Sequence, residues 1–180
     1  MTLYYSSGSC SLAPYIVAHE LGLSFTPSLA PKEGVELEHY KEHVNFNGAV
    51  PALVTDDGSV LTQNTAIIEY FVGLGEQSGK IGVVYPKLGT KEHAEALRWL
   101  CLANADLHPA FKPIFRPQNY TSIESAHDDL RAHAVKNLMN IYTMLDQQYA
   151  NKHWIANNQY SPADIYIYIT MRWAKNLKLD

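Results

Sequence analysis

A change of pattern at Gly75 constrains the fold of this chain more than any other feature. Before Gly75, short apolar and aromatic runs that are typical of strands alternate with segments of helical periodicity. Residues 76–89 then contain a cluster of Gly, Ser and Pro, and every strong pattern beyond them is helical. We therefore expect an α/β domain over residues 1–76, a linker over residues 77–89 and an all-α domain over residues 90–180.

The first domain is predicted to follow the order β-α-β-α-β-β-α. Strands are expected at residues 3–5, 25–29, 51–55 and 60–61, and helices at residues 12–21, 35–44 and 65–74. Gly22 should end the first helix, and Asp57-Gly58 is a hairpin-turn signal between the last two strands. This order is that of a thioredoxin-like domain.

The second half predicts three long helices, over residues 90–115, 123–150 and 162–177. Pro109 lies inside the first of them and should bend it, because proline removes a helical hydrogen bond. Ser161-Pro162-Ala163-Asp164 is a capping-box pattern that should begin the third helix. We interpret Asp164 as part of this cap and not as a catalytic residue.

Charge and cysteine content argue against several classes of function. The 180 residues carry a net charge of −4 with a pI near 6.0, whereas nucleic-acid-binding domains are normally basic. No apolar run approaches the roughly 20 residues that cross a bilayer, and no signal-peptide pattern is visible. The two distant cysteines, Cys10 and Cys101, indicate a reducing cytoplasm, and the scattered histidines predict no metal site.

Cys10 is the first candidate for chemistry, because it lies where a small-residue turn enters the first predicted helix. Unpaired N–H groups and a positive partial charge at a helix N-terminus stabilise an anion, and they can lower a cysteine pKa well below about 8.5. The neighbouring Ser9 and Ser11 add hydroxyl groups to the same turn. From the residues alone, the alternative is a buried and inert cysteine.

Two further segments could hold a peptide-like ligand. Val50-Pro51 precedes a strand, and although a trans bond is usual, a cis bond would expose the Val50 backbone to a ligand that pairs as an added strand. Gln63 and Asn64 precede an apolar helix, where they either cap the helix or help its backbone N–H groups to bind a carboxylate.

A polar pair interrupts an apolar stripe in the second half. Leucines and Phe111 recur at three- and four-residue spacing, and Asn104 and His108 lie on the same helical face. His108 is therefore either a functional group or a hydrogen-bonded histidine of the core. Cys101, beside the stripe, is expected to be a packing residue.

Together these segments resemble the bacterial beta-class glutathione transferases. The likeness extends over nearly the whole chain and is carried by residues 3–14, 48–53, 61–67, 107–113 and 161–164. It implies a glutathione-binding thioredoxin-like domain, a helical domain that lines the site of a second substrate, and a homodimer. The implied activity is the conjugation of glutathione, as cosubstrate, to small apolar electrophiles in the cytoplasm, with detoxification as its role.

The resemblance also assigns roles to individual residues. It implies that Cys10 can form a mixed disulfide with glutathione, and that Val50 pairs with the cysteinyl unit across a cis Pro51. Gln63 and Asn64 would hold the γ-glutamyl end. The implied catalytic residues are Cys10, Ser11 and His108, the last of them near the glutathione sulfur. The implied glutathione contacts are Ser9, Lys32, Val50, Pro51, Gln63, Asn64 and Asn104.

Three features depart from the family's pattern. Gln63 and Asn64 stand where members often carry an acid and a small hydroxyl residue, so the charge of this subsite differs. Pro109 stands where some relatives have a lysine, which Lys112 or Arg116 could replace. The chain also stops just after the Pro162 helix, where relatives continue, so either further helices lie outside this sequence or the C-terminal domain is shorter than usual.

Two other functions remain open at this stage. Cys10 could itself be the nucleophile of a monothiol, glutaredoxin-like exchange with glutathione mixed disulfides, because no Cys-x-x-Cys motif occurs. A thiol-disulfide or peroxidase side activity of the transferase would use the same thiol. Alternatively, the chain is a non-catalytic dimer that binds glutathione or apolar ligands, since a fold does not prove turnover.

Overall fold

A computed structural model describes residues 1–179 of the chain, which divides into two compact units, Met1–His93 and Ala94–Asp180. The first, here called unit 1, is a thioredoxin-like α/β unit, and the second, unit 2, is helical. The predicted fold class is therefore confirmed.

Unit 1 follows the predicted order. Its elements are β1 (Thr2–Tyr5), α1 (Leu12–Glu20), β2 (Thr26–Leu29), α2 (Gly34–His43), β3 (Ala52–Val54), β4 (Val60–Thr62) and α3 (Asn64–Gln77). Gly22 ends α1 as predicted, because its φ of +58° lets the Gly22 and Leu23 amides donate back to His19 and Ala18. Only α3 departs noticeably from its predicted bounds, since it continues to Gln77.

The sheet brings four connecting segments to one end. Within the described residues the strand order is β2-β1-β3-β4, with β1 parallel to β2 and antiparallel to β3, and β3 antiparallel to β4. Tyr5 pairs with Leu29, Tyr4 with Ala52, and Ala52 with Thr62. The segments after β1, β2 and β4 and the segment before β3 therefore meet at the same end of the sheet.

The core of unit 1 forms on both sides of β1. Leu3 is fully buried, and the neighbouring Tyr4 points to the opposite face, where its ring centroid lies 5.1 Å from that of Tyr40 in α2. Helices α1 and α3 pack against each other through fully buried residues such as Val17 and Phe71. This packing fixes the first turns of α1 and α3, which carry the candidate residues.

The first helix of unit 2 is not continuous, which corrects the predicted helix over residues 90–115. Helix α4 (Lys91–Leu102) runs into a π-helical turn (Ala103–Leu107), followed by the short helices α5 (His108–Ala110) and α6 (Lys112–Phe115). Pro109 has no N–H, and its ring would collide with the carbonyl four residues earlier. The wider π turn lies directly before Pro109, so the irregularity begins earlier than the predicted bend.

The remaining helices are α7 (His127–Tyr149) and α8 (Pro162–Asn176). Residues 123–126, predicted as the start of the second helix, include a short 3-10 turn (Glu124–Ala126) instead. The predicted capping box of α8 is confirmed: the Asp164 carboxylate accepts from the Ser161 amide at 3.0 Å. Cys101 is exposed, so its predicted packing role is wrong. Among the helices of residues 1–179, none is both long enough and apolar enough to cross a membrane.

The close approach of α1 and α3 generates a stability prediction. An alanine Cβ at Gly75 would lie 2.8 Å from Leu21 Cδ2, and Leu21 is 1% exposed, so that it has little room to withdraw. We expect Gly75→Ala to lower the free energy of unfolding by about 1–3 kcal/mol in urea denaturation followed by circular dichroism. Gly73→Ala, in open space on the same helix, is the control and should raise it by up to about 1 kcal/mol. Equal effects of the two substitutions would contradict this packing.

Candidate active site

The predicted site residues of unit 1 lie in the segments that meet at one end of the sheet. Ser9, Cys10 and Ser11 follow β1, and Lys32 follows β2. Val50 and Pro51 precede β3, and Gln63 and Asn64 follow β4, where Asn64 begins α3. Across the sheet, the order is therefore the Lys32 segment, the Cys10 turn, the Val50–Pro51 segment and the Gln63–Asn64 segment.

The Cys10 thiol contacts the segment before β3 directly. Cys10 is 7% exposed, and its Sγ donates to the Val50 carbonyl oxygen at 3.5 Å. This hydrogen bond needs the protonated thiol, because a thiolate has no proton to donate to a carbonyl. Hydrogen bonding to the neutral form of an acid raises its pKa. The Val50 carbonyl therefore favours the thiol form of Cys10.

The first amides of α1 are used within the turn, which differs from the expectation that unpaired N–H groups stabilise a thiolate. The Ser11 amide donates to Ser9 Oγ, the Leu12 amide to the Ser9 carbonyl, and the Ala13 amide to the Cys10 carbonyl. The next residue, Pro14, has no N–H. The Ser11, Leu12 and Ala13 amides are thus engaged within the turn, while the helix dipole still favours an anion at this position.

Ser11 has a structural role in this turn. It is fully buried, and its hydroxyl accepts from the Ser6 amide at 3.1 Å and lies 2.7 Å from Ser9 Oγ. The Ser9 hydroxyl also donates to the Ser6 carbonyl at 2.8 Å. These contacts hold the Ser6–Ser11 turn closed, and the catalytic role of Ser11 stays a prediction.

The Val50–Pro51 peptide bond is cis, in agreement with the family resemblance. The residue before it is fixed by two donors, since Tyr40 Oη and Asn45 Nδ2 both lie 2.8 Å from the Ala49 carbonyl oxygen. Pro51 is buried and Val50 is half-buried. These two hydrogen bonds to Ala49 thus hold the adjacent Val50 backbone in place at the site.

Gln63 has a backbone conformation that side chains rarely adopt. Its φ is +74° and its ψ is 128°, and it is exposed directly before α3. Such conformations cost about 1–3 kcal/mol and concentrate at ligand-binding positions. Asn64 is 3% exposed and belongs to the first turn of the helix. The start of α3 therefore combines backbone N–H groups, a helix dipole and an exposed amide side chain.

Lys32 lies at the other side of this sheet end. It is exposed and lines a cavity of about 550 Å³ with Tyr4, Glu36 and Tyr40 among the other lining residues. The cationic side chain is thus available beside the segment after β2, and Glu36 is the acidic residue of the same cavity.

In unit 2, His108 is held by aromatic and polar contacts. Its Nδ1 lies 2.6 Å from Tyr166 Oη, and the same hydroxyl lies 3.3 Å from Asn104 Oδ1. The indole ring of Trp173 meets the imidazole edge to face, with 5.0 Å between centroids. The sequence predicted that Asn104 and His108 share a face, but it did not identify Tyr166. The two isoleucines that flank Tyr166 in the sequence indicate a buried ring, and a buried hydroxyl needs a hydrogen-bond partner.

His108 is neutral at pH 7. Burial lowers its pKa from the ordinary 6.5 to about 4, and the positive charge of Lys112 contributes to this effect. The charge of Lys112 thus acts on His108.

Comparisons with known proteins identify relatives of both units. The sequence model "Glutathione S-transferase, N-terminal domain" matches residues 8–72, and "Glutathione S-transferase, C-terminal domain" matches residues 99–180. The chain is 35% identical to glutathione S-transferase GST-4.5 of Xanthomonas campestris pv. campestris, with 100% of this chain and 85% of the relative aligned. It is 32% identical to GstA of Escherichia coli O157:H7 over the same shares.

Solved structures agree with the sequence relatives. The bacterial beta-class glutathione S-transferase of Sphingomonas chungbukensis superposes with a TM-score of 0.82 at 30% identity, covering 100% of this chain and 85% of that one. A sphingomonad glutathione S-transferase complexed with glutathione gives a TM-score of 0.82 at 31% identity, with the same coverage. The resemblance to the beta class is confirmed by these neighbours.

The environment of His108 generates a prediction on pH dependence. We expect the His108 ring to titrate near pH 4 by NMR, far below an exposed histidine. Because the unfolded state takes up this proton first, stability should fall as the pH is lowered from about 6.5 towards 4. His108→Asn should reduce that loss in urea unfolding across the same range. A His108 midpoint near 6.5 would contradict the burial that we describe.

Proposed function

The chain belongs to the glutathione S-transferase family, and we propose that it conjugates glutathione to small apolar electrophiles. As a member of this family it is a transferase. We further propose that residues 1–76 bind glutathione and that residues 90–180 supply the site of the second substrate. Cytoplasmic location, a homodimer and a role in detoxification belong to the same proposal. Exposed Val35 and Phe46, at 86% and 82% exposure, are consistent with an interface between subunits.

The order of the segments at the sheet end supports glutathione most directly. Glutathione carries a γ-glutamyl unit, a central cysteine and a glycyl carboxylate. The sheet end presents Gln63 and Asn64 at one side, Val50 and Cys10 in the centre, and the Lys32 segment at the other side. Three strand spacings cover about 14 Å. An extended tripeptide of about 10 Å is shorter than this span. It therefore fits across the sheet end and leaves room for protein side chains to contact both of its ends.

Each part of this surface suits one part of the tripeptide. The Lys32 ammonium is suited to the glycyl carboxylate, and the first turn of α3 is suited to the α-carboxylate of the γ-glutamyl unit. The Gln63 side chain offers an amide to the α-amino group in place of an acid. The Val50 backbone, held at the site by its neighbours, can pair with the cysteinyl unit as a short added strand.

The state of Cys10 favours the glutathione sulfur as the nucleophile. Exchange chemistry requires the Cys10 thiolate, whereas the Val50 carbonyl favours its thiol. The single S–H proton of Cys10 can turn from the Val50 carbonyl and donate instead to a neighbouring sulfur that is gaining negative charge. In the conjugation step, the glutathione sulfur bonds to the electrophilic carbon, the leaving group departs with its electron pair, and the thiol proton passes to a base. We assign Cys10 the role of donor in this step, with mixed-disulfide formation as a side reaction.

The first experiment separates these roles of Cys10. We expect Cys10→Ala to retain conjugation of glutathione to 1-chloro-2,4-dinitrobenzene at about one tenth of the wild-type rate, which corresponds to one hydrogen bond of about 1–1.5 kcal/mol. The same variant should form no mixed disulfide when treated with oxidised glutathione, as measured by mass spectrometry. Cys101→Ala is the control and should behave as the wild type in both assays.

The outcomes assign the function. Loss of all conjugation in Cys10→Ala would favour the glutaredoxin-like alternative, in which Cys10 attacks the disulfide itself. A wild-type protein that binds glutathione without any conjugation would favour the non-catalytic dimer. A wild-type protein that does not bind glutathione in calorimetry would overturn the proposed function.

The strained backbone of Gln63 allows a second prediction. We expect Gln63→Ala to weaken glutathione binding about fivefold to tenfold in calorimetry, because an amide hydrogen bond of about 1 kcal/mol is lost. Gln63→Gly removes the same side chain and should weaken binding similarly, yet it should raise the free energy of unfolding by about 1 kcal/mol, since glycine adopts positive φ freely. Unchanged affinity in both variants would exclude Gln63 from the site.

A further inference from the structure

The segment that joins α3 to α4, residues 78–90, is fastened to α3 through two glutamates of that helix. The Leu88 amide donates to Glu76 Oε1 at 3.0 Å. His93, in the first turn of α4, meets Glu69 Oε2 through its Nε2 at 3.2 Å. The two glutamates are seven residues apart, so they lie two turns apart on one face of α3. All these residues belong to unit 1, and the contact is internal to it.

The imidazole of His93 is enclosed by the protein. Its side chain is 8% exposed, and that of Glu69 is 26% exposed. The Tyr85 ring, which is 1% exposed, meets the imidazole edge to face with 4.5 Å between the ring centroids. The His93 amide donates to Thr90 Oγ1 at 3.1 Å, which fixes the start of α4. Water has little access to the ring, so its nitrogens depend on protein partners.

Both ring nitrogens of His93 face acceptors. Nδ1 lies 3.1 Å from the Pro86 carbonyl oxygen, which can only accept, so Nδ1 carries a proton. A hydrogen bond between Nε2 and Glu69 Oε2 needs one further proton, either on an imidazolium or on a neutral carboxyl group. In either arrangement, the pair holds one proton more than a neutral histidine and an ionised glutamate.

The surroundings of the pair oppose the loss of this proton. Without it, the Nε2 lone pair would face a carboxylate oxygen, and an uncompensated negative charge would be left largely buried. Burial raises the pKa of Glu69 above its ordinary value, although His93 and Tyr85 act in the opposite direction. The negative charge of Glu76, on the same helix, adds to the rise. In the unfolded chain at pH 7, a histidine of pKa about 6.5 and a glutamate of pKa about 4.3 mostly lack this proton.

We propose that the His93–Glu69 pair retains this proton at pH 7 and acts as a pH-sensitive latch between the connecting segment, residues 78–90, and α3. In the protonated state, His93 is bonded to Pro86 and to Glu69 at once, so the segment is held against the helix. At alkaline pH the proton passes to solvent, the bond to Glu69 is replaced by repulsion, and the segment loosens. The latch requires neither glutathione nor turnover, so it can fail or stand independently of the proposed function.

Glu69→Gln tests the retained proton while it keeps a hydrogen bond, because the new amide can donate to Nε2 of a neutral His93. The folded wild type holds one proton more than the folded variant, so a rising pH favours the variant. We expect the ratio of their folding equilibrium constants, wild type over variant, to fall up to tenfold per pH unit from pH 5 to 8 in urea unfolding. Contributions of other titrating groups, including His108, cancel in this ratio.

Glu92→Gln is the matched control, because Glu92 is exposed and directly precedes His93 in the sequence. It removes the same charge, and its ratio to the wild type should stay nearly constant over this range. A constant ratio for Glu69→Gln as well would overturn the proposal. His93→Gln is a second variant that cannot hold the imidazole proton, and it should show the same pH dependence relative to the wild type as Glu69→Gln.

Spectroscopy locates the proton in the wild type without any variant of the pair's stability. At pH 7, the ¹⁵N shifts of the His93 ring and the ¹³C shift of the Glu69 carboxyl group should show either an imidazolium or a neutral carboxyl group. The His93 ring signals are assigned by their loss in His93→Gln. A neutral imidazole beside an ionised carboxylate at pH 7 would overturn the proposal.

Hydrogen exchange tests the latch itself. Between pH 7 and 9, the protection factors of the Leu88 and His93 amides, which correct for the intrinsic exchange rate, should fall at least threefold more in the wild type than in Glu69→Gln. These amides donate to Glu76 and Thr90, so they report on the segment and on the start of α4. Equal changes in the two proteins would show that the proton does not fasten the segment, and would overturn the latch.

Discussion

The pairing of β1 with both β2 and β3 is the constraint on which the candidate site depends. Because β1 is parallel to β2 and antiparallel to β3, the segments that follow β1 and β2 meet the segment that precedes β3. Cys10 and Val50 are 40 positions apart, yet this register brings the thiol to the carbonyl. A slip by one residue would exchange the faces of β1, placing Tyr4 where Leu3 is buried. The core and the site therefore depend on the same register.

In unit 2 the comparable constraint is the start of α8. Asp164 closes the capping box with Ser161 and also accepts from Tyr149 Oη at 2.8 Å, so the first turn is tied to the end of α7. Tyr166 lies two residues further along this fixed turn and carries the hydroxyl that meets His108. Asp164, which the sequence predicts as part of a helix cap, thus fixes the start of the helix that carries the hydrogen-bonding partner of His108.

Features with local causes were predictable from the sequence, whereas those that tertiary contacts decide were not. The α8 cap requires only residues 161–164, and the irregularity near Pro109 requires only a missing N–H. The sequence did not predict the π turn, because the packing of this segment against α8 also influences where the helix accommodates the missing N–H of Pro109. The hydrogen bond between Cys10 and the Val50 carbonyl depends on strand register, which helical patterns do not encode. Tyr166 escaped notice because a tyrosine between isoleucines indicates a buried ring but does not indicate which side chain its hydroxyl meets.

The hydrogen bond of Cys10 limits how the glutathione sulfur is activated in the proposed reaction. Because the Cys10 thiol donates to the Val50 carbonyl, it supplies no positive charge that would hold glutathione as a thiolate. Lys32 is a cation at one side of the sheet end, beside the segment after β2. In the proposed reaction, this arrangement favours loss of the glutathione thiol proton while the new bond to carbon forms over its loss beforehand.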